Sequence, residues 1–182
     1  MIDYFALLDQ PRVPWLDPAA LKEIFHRKTL EQHPDSARGP EGGGFAELNK
    51  AYQVLQDPKR RLHHLLSLEN RAPAANQAVP LDLQEIFLQI GALNQSATRL
   101  LEKMRAASNP LTKSLLKVEV IGAQKEVGGL RDKVQELSNA AESRLRQTEM
   151  QQLEELAILY QRFAYLGRWS AQLDELAFQL TL

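Results

Sequence analysis

The chain has 182 residues, of which 44% are apolar and 25% charged, enough apolar surface for one domain or two small ones. Its 22 basic and 23 acidic side chains give a net charge of −1, so no overall field attracts nucleic acid or anionic lipid. The absence of cysteine excludes disulfides, thiolate nucleophiles and thiolate metal ligands.

The N-terminal sequence MIDYFALLDQ lacks the basic start and apolar run of a signal peptide. No apolar stretch approaches the roughly 18 residues that a transmembrane helix requires. We therefore expect a cytoplasmic protein that binds neither membrane nor nucleic acid.

The first 70 residues contain short helical segments separated by prolines. A short helix in DYFALLDQP is predicted to end at Pro11. Asp17 and Pro18 have the residue types of an N-cap and a first helical position. The helix PAALKEIFHRKTLEQ then ends before Pro34, because the residue that precedes a proline is excluded from the α region. Its apolar face comprises Leu21, Ile24 and Phe25.

Two more helices are predicted after a glycine-rich segment. In FAELNKAYQVLQ, the residues at helical spacing are Phe45, Leu48, Tyr52 and Leu55. Asp57 and Pro58 cap the helix PKRRLHHLLSLE, whose inward residues are predicted to be Leu62, Leu65 and Leu66. His63 and His64 are adjacent, so they point apart on a helix and cannot share a metal ion. We interpret both as surface and boundary residues.

Residues 71–80 have a Pro/Ala/Asn composition without periodicity, which is typical of a linker. Three long helical runs follow, from 82 to about 108, about 112 to 147 and about 150 to 180. Short connections predict, over residues 81–182, an antiparallel three-helix bundle or a long coiled-coil hairpin with a third helix packed on it. Gly128 and Gly129 cost the second run about 2 kcal/mol of helix propensity and favour a bend.

The tripeptide His33-Pro34-Asp35 invites a catalytic interpretation, which the sequence does not support. No serine or cysteine nucleophile is indicated nearby, and a general base requires a shaped pocket. The glycines in GPEGGGF lack the spacing and the lysine of a phosphate-binding loop. We therefore predict no enzyme activity, no cofactor and no metal site.

The sequence on either side of the tripeptide nevertheless resembles a J-domain. The tripeptide follows a basic amphipathic helix and precedes the segment NKAYQVLQDPKRR at the spacing found in that family. The N-terminal DYFALLDQP, the segment HHLLSLEN and the helical C-terminal half further resemble the HscB/Hsc20 family of J-domain co-chaperones. This resemblance implies an all-α fold with a four-helix J-domain at 1–70, a linker at 71–80 and a three-helix client-binding bundle at 81–182.

The resemblance also implies a partner, a DnaK- or HscA-type ATPase chaperone. Asp35 would pair with a chaperone arginine, while Pro34 fixes the turn and His33 holds the loop. The implied contacts to an acidic patch on the chaperone come from Lys22, Arg27 and Lys28. Lys28 departs from the usual pattern, because common J-domains bury a leucine at that position, and its stem is expected to lie along the core edge.

For the helical half, the resemblance implies a client such as an IscU-like iron–sulfur cluster scaffold, bound by an exposed apolar patch. The matching residues are Ile86, Phe87, Leu88 and Phe163. The family's acidic neighbours are replaced here by LNQSA at 93–97, which argues against an unchanged scaffold contact. Phe87 and Phe163 could equally belong to the bundle core, since aromatic residues at helical spacing commonly do.

The function predicted from these residues is stimulation of a chaperone ATPase and delivery of a client. The alternative is an interaction scaffold whose J-like domain no longer activates a chaperone. The intact His33-Pro34-Asp35 argues against that alternative.

Overall fold

The computed structural model describes residues 1–31, 43–71 and 78–181. Within these ranges the regular structure is helical, which confirms the predicted all-α fold. The helices are α1 (Tyr4–Leu7), α2 (Pro18–Glu31), α3 (Gly43–Gln56), α4 (Pro58–Leu68), a 3₁₀ turn (Leu81–Leu83), α5 (Gln84–Ala106), α6 (Pro110–Gln147) and α7 (Leu153–Gln179). None of the helices described is both long and apolar enough to cross a membrane.

The contacts divide the chain into two compact units. The first comprises Met1–Asn76 with Ala141–Phe163, and the second comprises Gln77–Ala140 with Ala164–Leu182. The first unit thus includes sequence beyond the predicted linker. The predicted independence of residues 1–70 stays a prediction.

Aspartate caps start three helices of the first unit. The Asp3 carboxylate accepts from the Phe5 and Ala6 amides at 3.0 and 3.3 Å at the start of α1. Asp17 accepts from the Ala20 amide at 2.8 Å, which confirms the predicted cap of α2. Asp57 accepts from the Arg60 amide at 2.7 Å at the start of α4. Each cap satisfies an amide that the helix itself leaves unpaired.

The core of the first unit is built from the apolar faces of these helices. Its fully buried members include Phe5, Leu8, Leu21, Leu48, Leu55, Leu62, Leu65 and Leu66. The inward positions predicted for α4 are therefore confirmed. Phe45, in the first turn of α3, is 51% exposed, so the buried stripe of that helix begins at Leu48.

The second unit is an antiparallel arrangement of α5 with parts of α6 and α7. Lys133 on α6 donates to Gln89 on α5 at 3.4 Å, and Arg131 pairs with Asp174 on α7 at 2.6 Å. Gln124 donates to the carbonyl oxygen of Leu180 at 2.9 Å. Because residue numbers rise along α6 as they fall along α7, these two helices run in opposite directions.

The apolar residues that recur at helical spacing along these helices are largely buried. On α5 the buried residues are Ile86, Ile90, Leu93, Ala97 and Leu100. Helix α6 continues through Gly128 and Gly129, where an added Cβ would meet no other group. On α7, the apolar residues at helical spacing include Leu156, Tyr160 and Phe163, but burial does not follow that series. Tyr160 and Phe163 are only partly buried, and Leu159, Leu166 and Trp169 fill core positions instead.

Candidate chaperone-binding surface

Helices α2 and α3 flank the segment that contains the predicted docking tripeptide. The Phe25 and Tyr52 rings join them, stacked at 13° with centroids 4.3 Å apart. The Thr29 hydroxyl donates to the Phe25 carbonyl oxygen at 2.8 Å. Aromatic pairs in this geometry stabilise by about 0.5–1.5 kcal/mol beyond the area they bury. The two helices therefore provide a packed stem on either side of the segment. The tripeptide His33, Pro34 and Asp35 lies outside the described residues.

The three predicted cations of α2 have different surroundings. Lys22 and Arg27 are exposed and have no ion-pair or hydrogen-bond partner among the described residues. Lys28 is different, because its Nζ lies 2.7 Å from the Asp9 carboxylate and its side chain is only 19% exposed. The low exposure agrees with the expected course of its stem along the core edge. The pairing with Asp9 is a contact that the sequence did not indicate.

Arg61 is a buried cation that sequence reasoning missed. It is 3% exposed and donates from Nε to the Pro14 carbonyl oxygen at 2.8 Å and from Nη1 to the Leu55 carbonyl oxygen at 2.6 Å. Desolvation lowers the pKa of Arg61 to about 10, against the opposing fields of Asp57 and Glu142. The guanidinium therefore stays protonated at neutral pH and ties α4 to the loop before α2 and to the end of α3.

His64 corrects the sequence-based interpretation of the histidine pair. His63 is exposed as predicted, but His64 is only 6% exposed. Its Nε2 accepts from the Tyr4 amide at 3.1 Å, and its ring packs against the Tyr4 and Phe5 rings. Burial lowers the pKa of His64, with Asp3 acting in the opposite direction. A neutral imidazole thus caps the start of α1 from a helix 60 residues away in sequence. The described residues contain no group of three or more His, Asp or Glu side chains placed to hold a metal ion.

The residues predicted to bind a client differ in how far they are buried and in the compact unit to which they belong. Ile86 is 6% exposed and belongs to the core of the second unit. Phe87 is 46% exposed, and its ring lies 6.3 Å from that of Trp169, while Leu88 is 68% exposed. Phe163 is partly exposed and belongs to the first unit. Phe87 and Leu88 are thus the adjacent pair that offers apolar surface, whereas Ile86 is buried.

Residues 3–64 match the DnaJ domain family. Over 63 residues the chain is 43% identical to the chaperone protein DnaJ of Caulobacter vibrioides, a match that covers 34% of this chain and 16% of the relative. Over 103 residues it is 30% identical to the mitochondrial J-type co-chaperone jac1 of Schizosaccharomyces pombe, covering 50% of this chain and 46% of the relative. The matches therefore span less than half the length of these curated relatives.

Solved structures extend the similarity beyond the first 64 residues. The chaperone HscB from Vibrio cholerae aligns over 98% of this chain and 99% of its own, with a TM-score of 0.56 and 20% identity. Residues 3–64 therefore match a DnaJ domain, and the chain as a whole has an HscB-like fold. The human co-chaperone protein HscB aligns over 96% of this chain and 82% of its own, with a TM-score of 0.51 and 19% identity.

The DnaJ domain contains the features that position the candidate surface. The matched range includes α1, α2, α3 and the part of α4 that carries Arg61 and His64. It also includes the predicted tripeptide, although the structure does not describe it. Phe87, Leu88 and Phe163 lie outside the DnaJ domain, in the part that the HscB structures match by fold alone.

Proposed function

We propose that this chain is a co-chaperone that stimulates ATP hydrolysis by a DnaK- or HscA-type chaperone and delivers a client to it. The proposal rests chiefly on the continuous DnaJ-domain match over residues 3–64, which includes His33-Pro34-Asp35 between two packed helices. The similarity to a J-type co-chaperone over half of this chain supports the same activity.

In this activity the chaperone hydrolyses ATP, and this chain supplies the charged side chains that dock on the chaperone. Asp35 forms a charge-assisted pair with an arginine of the chaperone, which is stronger than a neutral hydrogen bond. Lys22 and Arg27 orient the encounter through an acidic surface on the partner, since exposed charges act more on association rate than on affinity. Lys28 contributes less to docking, because its ammonium group already has Asp9 as a partner.

The client binds through the exposed apolar pair Phe87 and Leu88 of α5, with Phe163 as a further contact. The HscB-like fold supports an iron–sulfur cluster scaffold as the client class. The uncharged segment LNQSA at 93–97 stands where the family has acidic residues, so the contact here relies on apolar area more than on charge.

The test is single-turnover ATP hydrolysis by a DnaK-type chaperone with and without the full-length chain. We expect stimulation by the wild type and its loss in Asp35→Asn, which removes one charge and keeps the side-chain shape. Asp132→Asn on the exposed surface of α6 is the matched control and should stimulate normally. Full stimulation by Asp35→Asn would contradict the mechanism.

The alternative function is a non-activating interaction scaffold. It predicts that the wild type binds a helical-domain partner while the ATPase rate of every chaperone tested stays unchanged. The same assay therefore separates the two functions.

A further inference from the structure

A cavity of about 290 Å³ opens in the first unit beside α4. Its apolar walls come from Tyr4, Val54 and Tyr160. The Tyr160 ring lies 5.8 Å from that of His63, at an interplanar angle of 47°. The volume is at the lower limit of about 300–1,000 Å³ that small-molecule sites occupy. A fragment-sized body with an apolar flank therefore fits it.

Two cationic side chains border this cavity. Lys59 and Arg60 line it, and their side chains have no ion-pair or hydrogen-bond partner among residues 1–31, 43–71 and 78–181. None of the described residues that line the cavity is acidic. Both cations also lie in the first turn of α4, where the helix dipole adds positive potential.

A buried histidine also contributes to the lining of this cavity. His64 lines it and is more than nine-tenths buried. Its Nε2 accepts from the Tyr4 amide at 3.1 Å, which assigns the proton of the neutral ring to Nδ1. The Nδ1–H group has no hydrogen-bond partner among the described residues. Buried donors of this kind are usually satisfied by a protein group, a water molecule or a ligand.

We infer that this cavity is a binding site for a small amphiphilic anion, with its head group held by Lys59, Arg60 and the His64 Nδ1–H, and its apolar body against Val54 and Tyr160. The site accepts a carboxylate or a phosphate ester, because either presents oxygen acceptors to the two cations. The inference is independent of the proposed co-chaperone function.

Titration of the full-length ¹⁵N-labelled protein with octanoate tests the site. We expect saturable amide shifts at Val54, Ser67 and Tyr160 with a dissociation constant of about 1 mM, as a ligand of roughly ten heavy atoms allows. Octanol has the alkyl chain without the negative charge, so it tests the contacts of the head group. Inorganic phosphate has the charge without an alkyl chain, so it tests the apolar contacts. Both should bind about tenfold more weakly than octanoate. Octyl phosphate in place of octanoate shows which head group is preferred, and saturable binding of either one supports the site.

The double variant Lys59→Gln/Arg60→Gln should weaken octanoate binding about tenfold. Its control, Lys103→Gln/Arg105→Gln on the exposed surface of α5, removes the same charge and should bind as the wild type does. Equal binding of octanol and octanoate, equal binding of phosphate and octanoate, or unchanged affinity in the double variant would each overturn the inference.

Discussion

The Nζ of Lys28 lies 2.7 Å from the carboxylate of Asp9, which joins α2 to the residues that follow α1. Asp9 adopts a left-handed backbone with φ of 50°, a conformation that aspartate and asparagine tolerate better than most residues. The pair gives Lys28 a structural role, whereas Lys22 and Arg27 have no ion-pair partner among the residues that the structure describes.

The first prediction separates these cations by their effects. Arg27→Ala should raise the concentration needed for half-maximal ATPase stimulation several-fold and leave stability within about 0.5 kcal/mol. Lys28→Ala should lower stability by up to about 1 kcal/mol, as a partly exposed ion pair allows, with a smaller effect on stimulation. Asp9→Asn keeps the left-handed backbone and should reproduce the stability loss. Greater loss of stimulation in Lys28→Ala than in Arg27→Ala would show that the ion pair opens on docking.

The second prediction concerns Arg61. Arg61→Lys keeps the charge and loses the planar guanidinium group that donates to both the Pro14 and the Leu55 carbonyl oxygens. We expect a loss of about 2 kcal/mol in the free energy of unfolding, measured by guanidinium denaturation. Arg60→Lys on the adjacent exposed position is the control and should change stability by less than about 0.5 kcal/mol. Equal effects of the two substitutions would mean that the Arg61 hydrogen bonds contribute nothing specific.

The third prediction is a pH dependence that arises from His64. Its pKa is lowered in the folded state from the ordinary 6.5, mainly because the ring is buried, with His63 and Arg12 acting in the same direction and Asp3 against it. The unfolded state therefore binds more protons between the two pKa values. The stabilisation is complete above pH 6.5, declines as pH falls below that value, and stops declining below the folded-state pKa.

Urea denaturation between about pH 7.5 and pH 5 measures this decline, with His64→Gln as the variant that cannot titrate. His64→Gln should show a smaller pH dependence over the same interval. His64→Ala should lose about 1–3 kcal/mol at neutral pH, because the Tyr4 amide is left without its acceptor. An identical pH profile in the wild type and His64→Gln would assign the dependence to other groups.

The fourth prediction concerns the client surface. Ile86→Ala should lower stability by about 2–5 kcal/mol, because it empties a buried position. Phe87→Ala should cost about 1 kcal/mol through the lost contact with Trp169, and Leu88→Ala less than about 0.5 kcal/mol. Calorimetric titration with an IscU-like scaffold should show weaker binding by the Phe87 and Leu88 variants. Leu111→Ala, at a leucine 70% exposed on α6, is the matched control.

A scaffold that binds the wild type and both α5 variants equally would remove Phe87 and Leu88 from the client surface. Phe163→Ala, tested beside them, should reduce binding with an intermediate loss of stability, since its ring is only partly buried. No binding by the wild type would direct the search to another client.

The fifth prediction concerns the fragment 1–70, which should be helical and should still stimulate the chaperone at higher concentration. In the full chain, the Arg146 guanidinium lies 4.8 Å from the centroid of the Trp15 ring, and the Tyr160 ring contacts His63. The fragment lacks both contacts and the buried Leu145 and Leu156 of the same unit, so its melting temperature should be at least about 4 °C lower. If the circular dichroism of the fragment showed no helix, the independently folding unit would have to extend beyond residue 70.

Much of the helical plan could be predicted from short stretches of sequence. Asp17 and Asp57 each accept from the amide three residues later, so the residues that decide a helix start are close together in the chain. The buried stripe of α5 follows the spacing of its apolar residues in the same way. On α7 apolar residues surround more of the helix, so spacing alone did not show that Trp169 is buried and Tyr160 only partly so.

Only the tertiary structure decided how the polar side chains are used. Arg61 donates to the Pro14 carbonyl oxygen 47 residues away in sequence, and His64 accepts from the Tyr4 amide 60 residues away. Whether a polar side chain is buried depends on the presence of such a distant partner, because burial without one costs several kcal/mol. The identity of the side chain fixes what it donates or accepts, and the packing of α4 against α1, the end of α3 and the loop before α2 selects the atom that meets it.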